Sequence, residues 1–364
     1  MKIIVQAFTG GFNTPSLYGA RDTEKLISII EKSGAEAAVI GWNTEAPYAK
    51  ISAALHELNK EVFLWLPVFS EFGKYAVTAV DYLGGRHGSA ISGAADDFTF
   101  ACPRDPVNIN LAAEYYDRYF SGCGFDGVLL DKIRFSTFGN GFRSGFGCFC
   151  EKCRDFYESE GVDVDTFMQL MGNEKKDFLL PAALTGMRYS FTNTLIDGLF
   201  RARAGLITES VSKVAAMFRQ RGIKVGLDVF SPVFAYLSGQ DIEALAGCAD
   251  FVKPMLYRVT DSPAGIPYEA ERMKAELLKN GCDIEDKIER LWDVETLTGD
   301  NCLKKQLNLL KGAGCGVFPG VEVNKTDFCA TSTEYVKKTL QFVEESGIAG
   351  CVLSWNVLAD LVYP

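Results

Sequence analysis

The chain has 364 residues, of which 48% are hydrophobic and 23% charged, and its net charge at neutral pH is −10. These values fit a globular protein with one large core and exclude a basic nucleic-acid-binding surface. No apolar run approaches the roughly 20 residues that a membrane-spanning helix needs. The N-terminal residues enter a first strand without a leader pattern, and the chain contains 11 cysteines. We therefore expect reduced thiols and a cytoplasmic protein with neither nucleic-acid nor membrane partners.

Eight short apolar or β-branched segments alternate with segments of helical periodicity. The predicted strands are residues 3–8, 36–42, 62–69, 127–133, 224–230, 250–257, 316–323 and 350–355. Helical periodicity is clear over residues 23–32, 48–59, 108–120 and 333–345, and a long helical stretch is predicted over residues 179–221. This alternation predicts an α/β fold, a (β/α)8 TIM barrel, with residues 1–364 forming one domain.

Three connections are longer than a barrel needs, and all of them follow strands. They are residues 70–106 after strand 3, 136–176 after strand 4 and 258–301 after strand 6. In a barrel, the segments that follow strands lie on the face that carries the active site. We therefore expect these insertions to shape a substrate cleft.

Carboxylates occupy the ends of three predicted strands: Asp131 in strand 4, Asp228 in strand 5 and Glu322 in strand 7. Cleavage of a glycosidic bond needs two carboxyl groups on either side of the sugar. We expect Asp131 to be the nucleophile, because the cations Lys132 and Arg134 follow it and favour an ionised carboxylate. The acid/base partner is expected to be either Glu322 or Asp228. Glu322 is slightly favoured because its strand end lies across the mouth of the barrel. Each of these carboxylates could have a structural role in place of a catalytic one. Asp131 could form a salt bridge, Asp228 could bind backbone amides, and Glu322 could lie exposed on the surface.

Other polar and aromatic residues at strand ends suit a ligand that is apolar on its faces and hydroxylated on its rim. Trp65, within strand 3, is expected in the core instead. The expected substrate-binding residues are Arg134, Lys132, Lys253, Tyr257, Trp42, Asn43, Trp355 and Asn356.

Three cysteines, Cys148, Cys150 and Cys153, fall within six residues after strand 4. A structural Zn²⁺ site needs four ligands, and the chain has only two histidines, so a fourth cysteine is the better donor. Cys102 ends the insertion after strand 3 on the same barrel face, whereas Cys123 enters strand 4 from the opposite end. The pattern predicts structural zinc and no organic cofactor, with free thiols, a disulfide or an iron–sulfur cluster as alternatives.

Two resemblances to known families follow from these motifs. The segment Cys102-Pro103-Arg104-Asp105-Pro106 and the later Cys-x-Cys-x-x-Cys motif resemble the zinc cluster of family 42 β-galactosidases. Those enzymes carry Asn-Glu after strand 4, where this chain has Asp131-Lys132. Strands 4 to 6 more closely resemble a group of bacterial glycoside hydrolase barrels, in the runs 125–135, 225–230 and 251–257. This resemblance implies a barrel with glycosidase activity on a carbohydrate and does not specify the sugar.

Two other functions remain open from the sequence. Lys253 in strand 6 could form a Schiff base with a carbonyl substrate, with Lys132 as a second ammonium group nearby. The Gly-rich segment 347–350 precedes strand 8 and so lies at the wrong face for the phosphate site that aldolases usually have. The other alternative is a barrel that binds carbohydrate without catalysis.

Overall fold

The strands of the computed structural model, which describes residues 1–12, 14–86 and 98–363, include the eight predicted ones. His87 and the rest of 87–97, in the predicted insertion after strand 3, lie outside the described residues. In chain order the strands are β1 (Lys2–Phe8), β2 (Ala37–Gly41), β3 (Glu61–Pro67), β4 (Gly127–Asp131), β5 (Pro181–Thr185), β6 (Arg188–Phe191), β7 (Lys224–Phe230), β8 (Phe251–Met255), β9 (Gly316–Val317), β10 (Gly320–Glu322), β11 (Lys325–Thr326), β12 (Cys329–Ala330) and β13 (Gly350–Ser354).

The parallel strands close into a barrel. Their order is β1, β2, β3, β4, β7, β8, then β9 and β10 as one interrupted strand, then β13, which pairs back to β1. Pro319 lies between β9 and β10, so the predicted strand 316–323 forms as two short pieces. The predicted (β/α)8 barrel of the α/β class is therefore confirmed.

Helices cover the outside of the barrel and fill the long connections. None of the helices in the described ranges is long and apolar enough to cross a membrane. In chain order they are α1 (Asp22–Ser33), α2 (Tyr48–Glu57), α3 (Pro106–Tyr119), α4 (Phe142–Gly145), α5 (Glu151–Ser159), α6 (Val164–Met171), α7 (Thr194–Gln220), α8 (Pro232–Ala235), α9 (Ile242–Ala246), α10 (Ile266–Lys279), α11 (Glu285–Trp292), α12 (Val294–Thr298), α13 (Asp300–Leu310) and α14 (Thr333–Ser346).

The connection after β4 differs from its prediction. Residues 181–191, predicted to begin a long helix, form the β5–β6 hairpin, whose turn contains Gly186 at φ 60°. Helix α7 starts only at Thr194, because Asn193 accepts hydrogen bonds from the first free N–H groups of that helix. Strand β4 itself ends at Asp131, two residues earlier than predicted, and Lys132 follows in the left-handed region at φ 52°.

The half of the barrel interior nearer the N-terminal ends of the strands, here called the lower half, is apolar. The rings of Phe63 and Phe251 meet edge to face across it with centroids 5.4 Å apart, and Phe318 contacts Phe251 at 5.6 Å. Glycines stand where these rings need room: a Cβ on Gly127 would lie 2.5 Å from the Phe63 ring, and one on Gly226 would collide with the Phe251 ring. Large and small side chains therefore alternate around the barrel, which is how such an interior is filled.

We expect Gly127→Ala to destabilise the fold by about 1–3 kcal/mol, the usual cost of overpacking a core. The added Cβ would lie 2.7 Å from the Lys224 carbonyl oxygen as well as against the Phe63 ring, and backbone atoms cannot move away cheaply. Urea unfolding followed by tryptophan fluorescence measures this loss. Gly122→Ala is the matched control, because a Cβ there meets no atom within 4 Å. Equal stability of the two variants would contradict this account of the interior.

Candidate active site

An ion pair lies at the centre of the upper barrel. Asp228 in β7 and Lys253 in β8 are register partners on neighbouring strands, and Lys253 Nζ donates to Asp228 Oδ2 at 2.8 Å. Both side chains are about 1% exposed. Because parallel strands place register partners side by side, the pair follows directly from the strand alignment. The other carboxylate oxygen, Asp228 Oδ1, has no hydrogen-bond partner among the described residues.

Polar side chains from neighbouring strands lie beside this pair and extend the hydrogen-bond network. Lys253 Nζ also donates to the Tyr257 hydroxyl at 2.9 Å, just beyond β8. Ser354, at the end of β13, donates to Gln6 Oε1 in β1 at 3.1 Å. Gly320 brings the two groups together, since a Cβ there would touch Lys253, Tyr257 and Ser354 within 3.2 Å. The upper interior is therefore polar from β7 round to β1.

Asp131, at the end of β4, is held by two N–H donors. Trp65 Nε1 in β3 donates to Oδ2 at 3.0 Å, and the backbone N–H of Lys132 donates to Oδ1. The carboxylate is 8% exposed. Strand β4 is adjacent to β7 in the barrel, so Asp131 and Asp228 belong to neighbouring strands.

The pKa values of Asp228 and Lys253 differ from those of exposed side chains. Burial raises the pKa of Asp228 to about 7, with Asp131 adding to the rise and the Lys253 cation opposing it. Burial alone would lower the pKa of Lys253, but the charge of Asp228 and the Tyr257 hydroxyl outweigh it, so the pKa is raised and the ammonium form is favoured. Burial also raises the pKa of Tyr257 to about 12. Asp228 is thus a carboxyl that can hold a proton near neutral pH.

Two cations expected to bind substrate have contacts with other protein groups. Lys132 Nζ pairs with Glu71 and lies 4.3 Å from the centre of the Phe98 ring. Arg134 donates to the carbonyl of Phe135 at 2.9 Å, and its guanidinium stacks on aromatic rings. These rings, at 4.7 and 4.4 Å, are those of Phe100 and Phe230. Burial lowers the pKa of Arg134.

Glu322, at the end of β10, is fully buried, and both of its oxygens accept hydrogen bonds. Oε2 accepts from the backbone N–H of Arg258 at 2.8 Å and from the Tyr335 hydroxyl. Oε1 accepts from the N–H of Val259 at 3.0 Å and from Thr260 Oγ1 at 2.6 Å. Burial raises the pKa of Glu322 although these donors lower it. This carboxylate organises the start of the connection after β8.

Three aromatic rings pack together beside Asp131. Trp42 meets Trp65 edge to face at 4.6 Å and Phe8 at 5.0 Å, and Phe8 meets Trp65 at 5.9 Å. Trp65 also faces Lys253 Nζ, which lies 5.9 Å from its ring centre. The indole N–H of Trp42, 1% exposed, has no partner in the described part of the chain.

The remaining sugar-binding candidates have other contacts. Asn43 donates to the carbonyls of Gly11 and Thr14 at 2.8 and 2.7 Å, which holds the loop after β1. Asn356 Oδ1 accepts from the backbone N–H of Phe8 and of Leu358, both at 3.2 Å. Trp355 is half-buried and stacks on the ring of Phe328 at 5.6 Å, and Phe328 is 40% exposed.

The sequence does not predict the part that three residues have in this site. Trp65, predicted for the core, donates to Asp131, and Gln6 and Ser354 are polar residues inside otherwise apolar strands. A glutamine or serine within an apolar strand was the available signal for the latter two. The role of Trp65 has no such signal, because an aromatic residue in an apolar run looks the same whether its N–H is used or not.

The four cysteines singled out by the sequence meet in one cluster. The Sγ atoms of Cys102, Cys148, Cys150 and Cys153 all lie within 4.8 Å of one another, and Cys102 lies 3.4 Å from Cys150 and 3.6 Å from Cys153. Zinc–sulfur bonds of about 2.3 Å in a tetrahedron would separate the sulfurs by about 3.8 Å. The donor set therefore fits a tetrahedral metal. Cys123 is not part of it and donates to a helix carbonyl at 3.7 Å.

Buried contacts hold the cysteine loop in place. Arg203 in α7, 0% exposed, donates to the carbonyls of Gly145 and Gly147 at 2.9 and 2.8 Å. The Tyr157 hydroxyl donates to the carbonyl of Cys148 at 3.1 Å. The cluster thereby joins the segment before α3 to the connection after β4, next to the barrel mouth.

Comparisons with known proteins support the fold and do not identify a family. The chain matches no known protein family and no curated protein by sequence, so the resemblance to family 42 β-galactosidases has no further support. Among solved structures, the β-amylase catalytic domain of Paenibacillus polymyxa aligns with a TM-score of 0.54 and 10% identity, over 97% of this chain and 93% of its own. This likeness shows the same barrel fold.

Two further structures align less well. The Group IV chitinase of Ostrinia furnacalis aligns with a TM-score of 0.45 and 10% identity, over 99% of this chain and 94% of its own. An AP endonuclease of family 2 from Brucella melitensis aligns with a TM-score of 0.36 and 14% identity, over 97% and 92%.

Proposed function

We propose that the protein is a glycoside hydrolase that uses Asp131 and Asp228 as its carboxyl pair. The observation that carries this proposal is the difference between two carboxyls on adjacent strands. Asp228 is buried against Lys253 with its pKa raised to about 7, while Asp131 accepts two N–H hydrogen bonds. Glycosidases need one carboxyl that holds a proton and one that is ionised.

The contacts of Asp228 support a role as the proton donor. Its Oδ2 is bound to Lys253, which leaves Oδ1 without a partner among the described residues. Oδ1 would carry the proton and transfer it to the glycosidic oxygen as the bond to that oxygen breaks. Asp131, fixed by Trp65 and the N–H of Lys132, would attack the anomeric carbon or remove a proton from the attacking water. Glu322 has a weaker case, because four donors already occupy its oxygens.

The aromatic rings of Trp42 and Trp65 support a sugar as the ligand. Sugars present apolar C–H faces, and aromatic rings beside carboxyl and amide groups are suited to bind them. The contacts of Lys253 favour a glycosidase over a Schiff-base lyase. A Schiff base needs a neutral amine, whereas the neighbours of Lys253 raise its pKa and keep it protonated.

The cysteine cluster is proposed to hold a structural Zn²⁺. Four thiolates would fill a tetrahedral site and leave no open position for substrate, so its function would be to fix the loops beside the mouth. Asp105 and Lys152 tie the same two segments together by an ion pair, and Asp105 also caps α3.

We expect Asp131→Asn to lower the turnover of an activated aryl glycoside by about 10³-fold or more, because the shape is kept while the reacting carboxylate is lost. A panel of p-nitrophenyl glycosides and oligosaccharides, assayed first with the wild-type protein, identifies the substrate. Asp165→Asn is the control, since the Asp165 side chain is 84% exposed on α6. Wild-type turnover by Asp131→Asn would remove the proposed mechanism, and sugar binding without turnover in the wild-type protein would favour a non-catalytic carbohydrate-binding barrel.

Turnover should fall as the pH rises through about 7, because Asp228 must be protonated to act as the acid. Lys253→Met removes the cation that lowers the pKa of Asp228, so the fall should move to higher pH. Tyr257→Phe is the matched variant, since it removes a hydrogen bond to Lys253 and no charge. The pH profile of kcat/KM measures both. An unchanged profile in Lys253→Met would argue against Asp228 as the acid.

Protein purified without added metal should contain about one zinc per chain, because four thiolates at these separations form a tight tetrahedral site. Cys150→Ser should lose this zinc, and Cys123→Ser should keep it. Elemental analysis by mass spectrometry measures the content, and titration of the wild-type thiols with a mercurial should release the metal. Wild-type protein without stoichiometric zinc would refute the assignment.

A further inference from the structure

Two buried N–H donors at the barrel mouth have no acceptor in the described residues. They are Nε2 of Gln6 in β1 and Nε1 of Trp42, which follows β2. Gln6 is 0% and Trp42 is 1% exposed. Buried polar atoms almost always have a hydrogen-bond partner, and a ligand that supplies acceptors would satisfy this pair of donors beside the candidate active site.

Contacts place both donors beside the proposed catalytic groups. The other amide atom of Gln6 accepts from Ser354, and Ser354 lies with Lys253 and Tyr257 around Gly320. The Trp42 ring contacts Trp65, which donates to Asp131. The donors therefore flank the reacting groups, on the side of the barrel opposite β7 and β8.

The charges of the mouth restrict what can bind there. Among the described residues, each cation near the mouth already has an anionic or backbone partner: Lys253 pairs with Asp228, Lys132 with Glu71, and Arg134 binds the Phe135 carbonyl. A ligand with its own carboxylate would therefore gain a hydrogen-bonded counter-charge only by displacing one of these partners from its cation.

We propose that Gln6 and Trp42 bind hydroxyl oxygens of an uncharged sugar ring at the scissile bond, and that uronic and sialic acid rings are excluded. The inference rests on the proposed glycosidase function and specifies its substrate class. Hydroxyl oxygens accept hydrogen bonds without carrying a charge, and they match two neutral N–H donors in a mouth whose cations already have protein partners.

The test is sugar binding by the Asp131→Asn variant, measured by titration calorimetry so that turnover is not needed. The probes are the p-nitrophenyl glycosides of glucose, galactose and mannose, together with the corresponding glucuronide and galacturonide. We expect a neutral glycoside to bind and its uronide to bind at least about 10-fold more weakly, because the carboxylate would have to displace a protein group from a buried cation. Adding Trp42→Phe or Gln6→Met should weaken binding of the neutral glycoside about 3- to 10-fold, the value of one neutral hydrogen bond.

Two control variants test whether the loss of an unsatisfied polar side chain is enough to change the affinity for the glycoside. Trp292 in α11 and Gln306 in α13 are also buried and also carry a side-chain atom without a partner in the described ranges, but they lie on helices outside the barrel. Trp292→Phe and Gln306→Met should leave the affinity unchanged. Thermal unfolding of all four variants excludes misfolding as the cause.

The outcomes separate this inference from the proposed function. Equal affinity for the glycoside and its uronide, or unchanged affinity in both Trp42→Phe and Gln6→Met, would overturn the inference even if Asp131 is required for turnover. The expected binding pattern without turnover by the wild-type protein would support the inference and overturn the glycosidase proposal. If none of these glycosides binds, the inference is overturned.

Discussion

The ion pair between Asp228 and Lys253 is the interaction on which the rest of the site depends. It forms because β7 and β8 align these residues side by side in the middle of the barrel, where both side chains are buried. Removing one partner of such a pair would leave a buried charge without compensation, which commonly costs about 3–5 kcal/mol. The pair also orients the carboxyl: one oxygen is held by the ammonium, and the other has no partner among the described residues. Burial and this geometry together suit Asp228 to the proposed role of proton donor.

The barrel separates stability from chemistry along its axis. Its lower half is filled by phenylalanine rings that pack against glycines, with Phe63 and Phe251 at the centre. Its upper half carries polar side chains from β1, β4, β7, β8 and β13. The apolar layer supplies burial energy, which allows the layer above it to hold charged and unsatisfied groups that would otherwise destabilise the protein. The connections after β3 and β4, joined at the cysteine cluster, lie beside this polar layer.

The fold and part of the site could be predicted from the sequence. Apolar runs locate the strands, and the run that ends in charge locates Asp131, because strand period and strand ends are local properties. The β5–β6 hairpin was missed because its first strand is rich in Ala and Leu, although Arg188–Phe191 alternates as a strand does. Glu322 and Asn43 bind backbone groups of loops whose conformation is not encoded locally. Trp65 reaches Asp131 only through the alignment of β3 with β4, which a single sequence does not reveal.

The protonation of Asp228 in the free protein tests the central claim most directly. Carbon-13 NMR of protein labelled at the aspartate carboxyls follows each group through a pH titration, and the Asp228→Asn variant assigns its signal. The account predicts a midpoint near pH 7, since burial raises this pKa to about 7 in spite of Lys253. A midpoint near 4, the value of an unperturbed aspartate, would show an ionised carboxylate at neutral pH and would contradict its role as the acid.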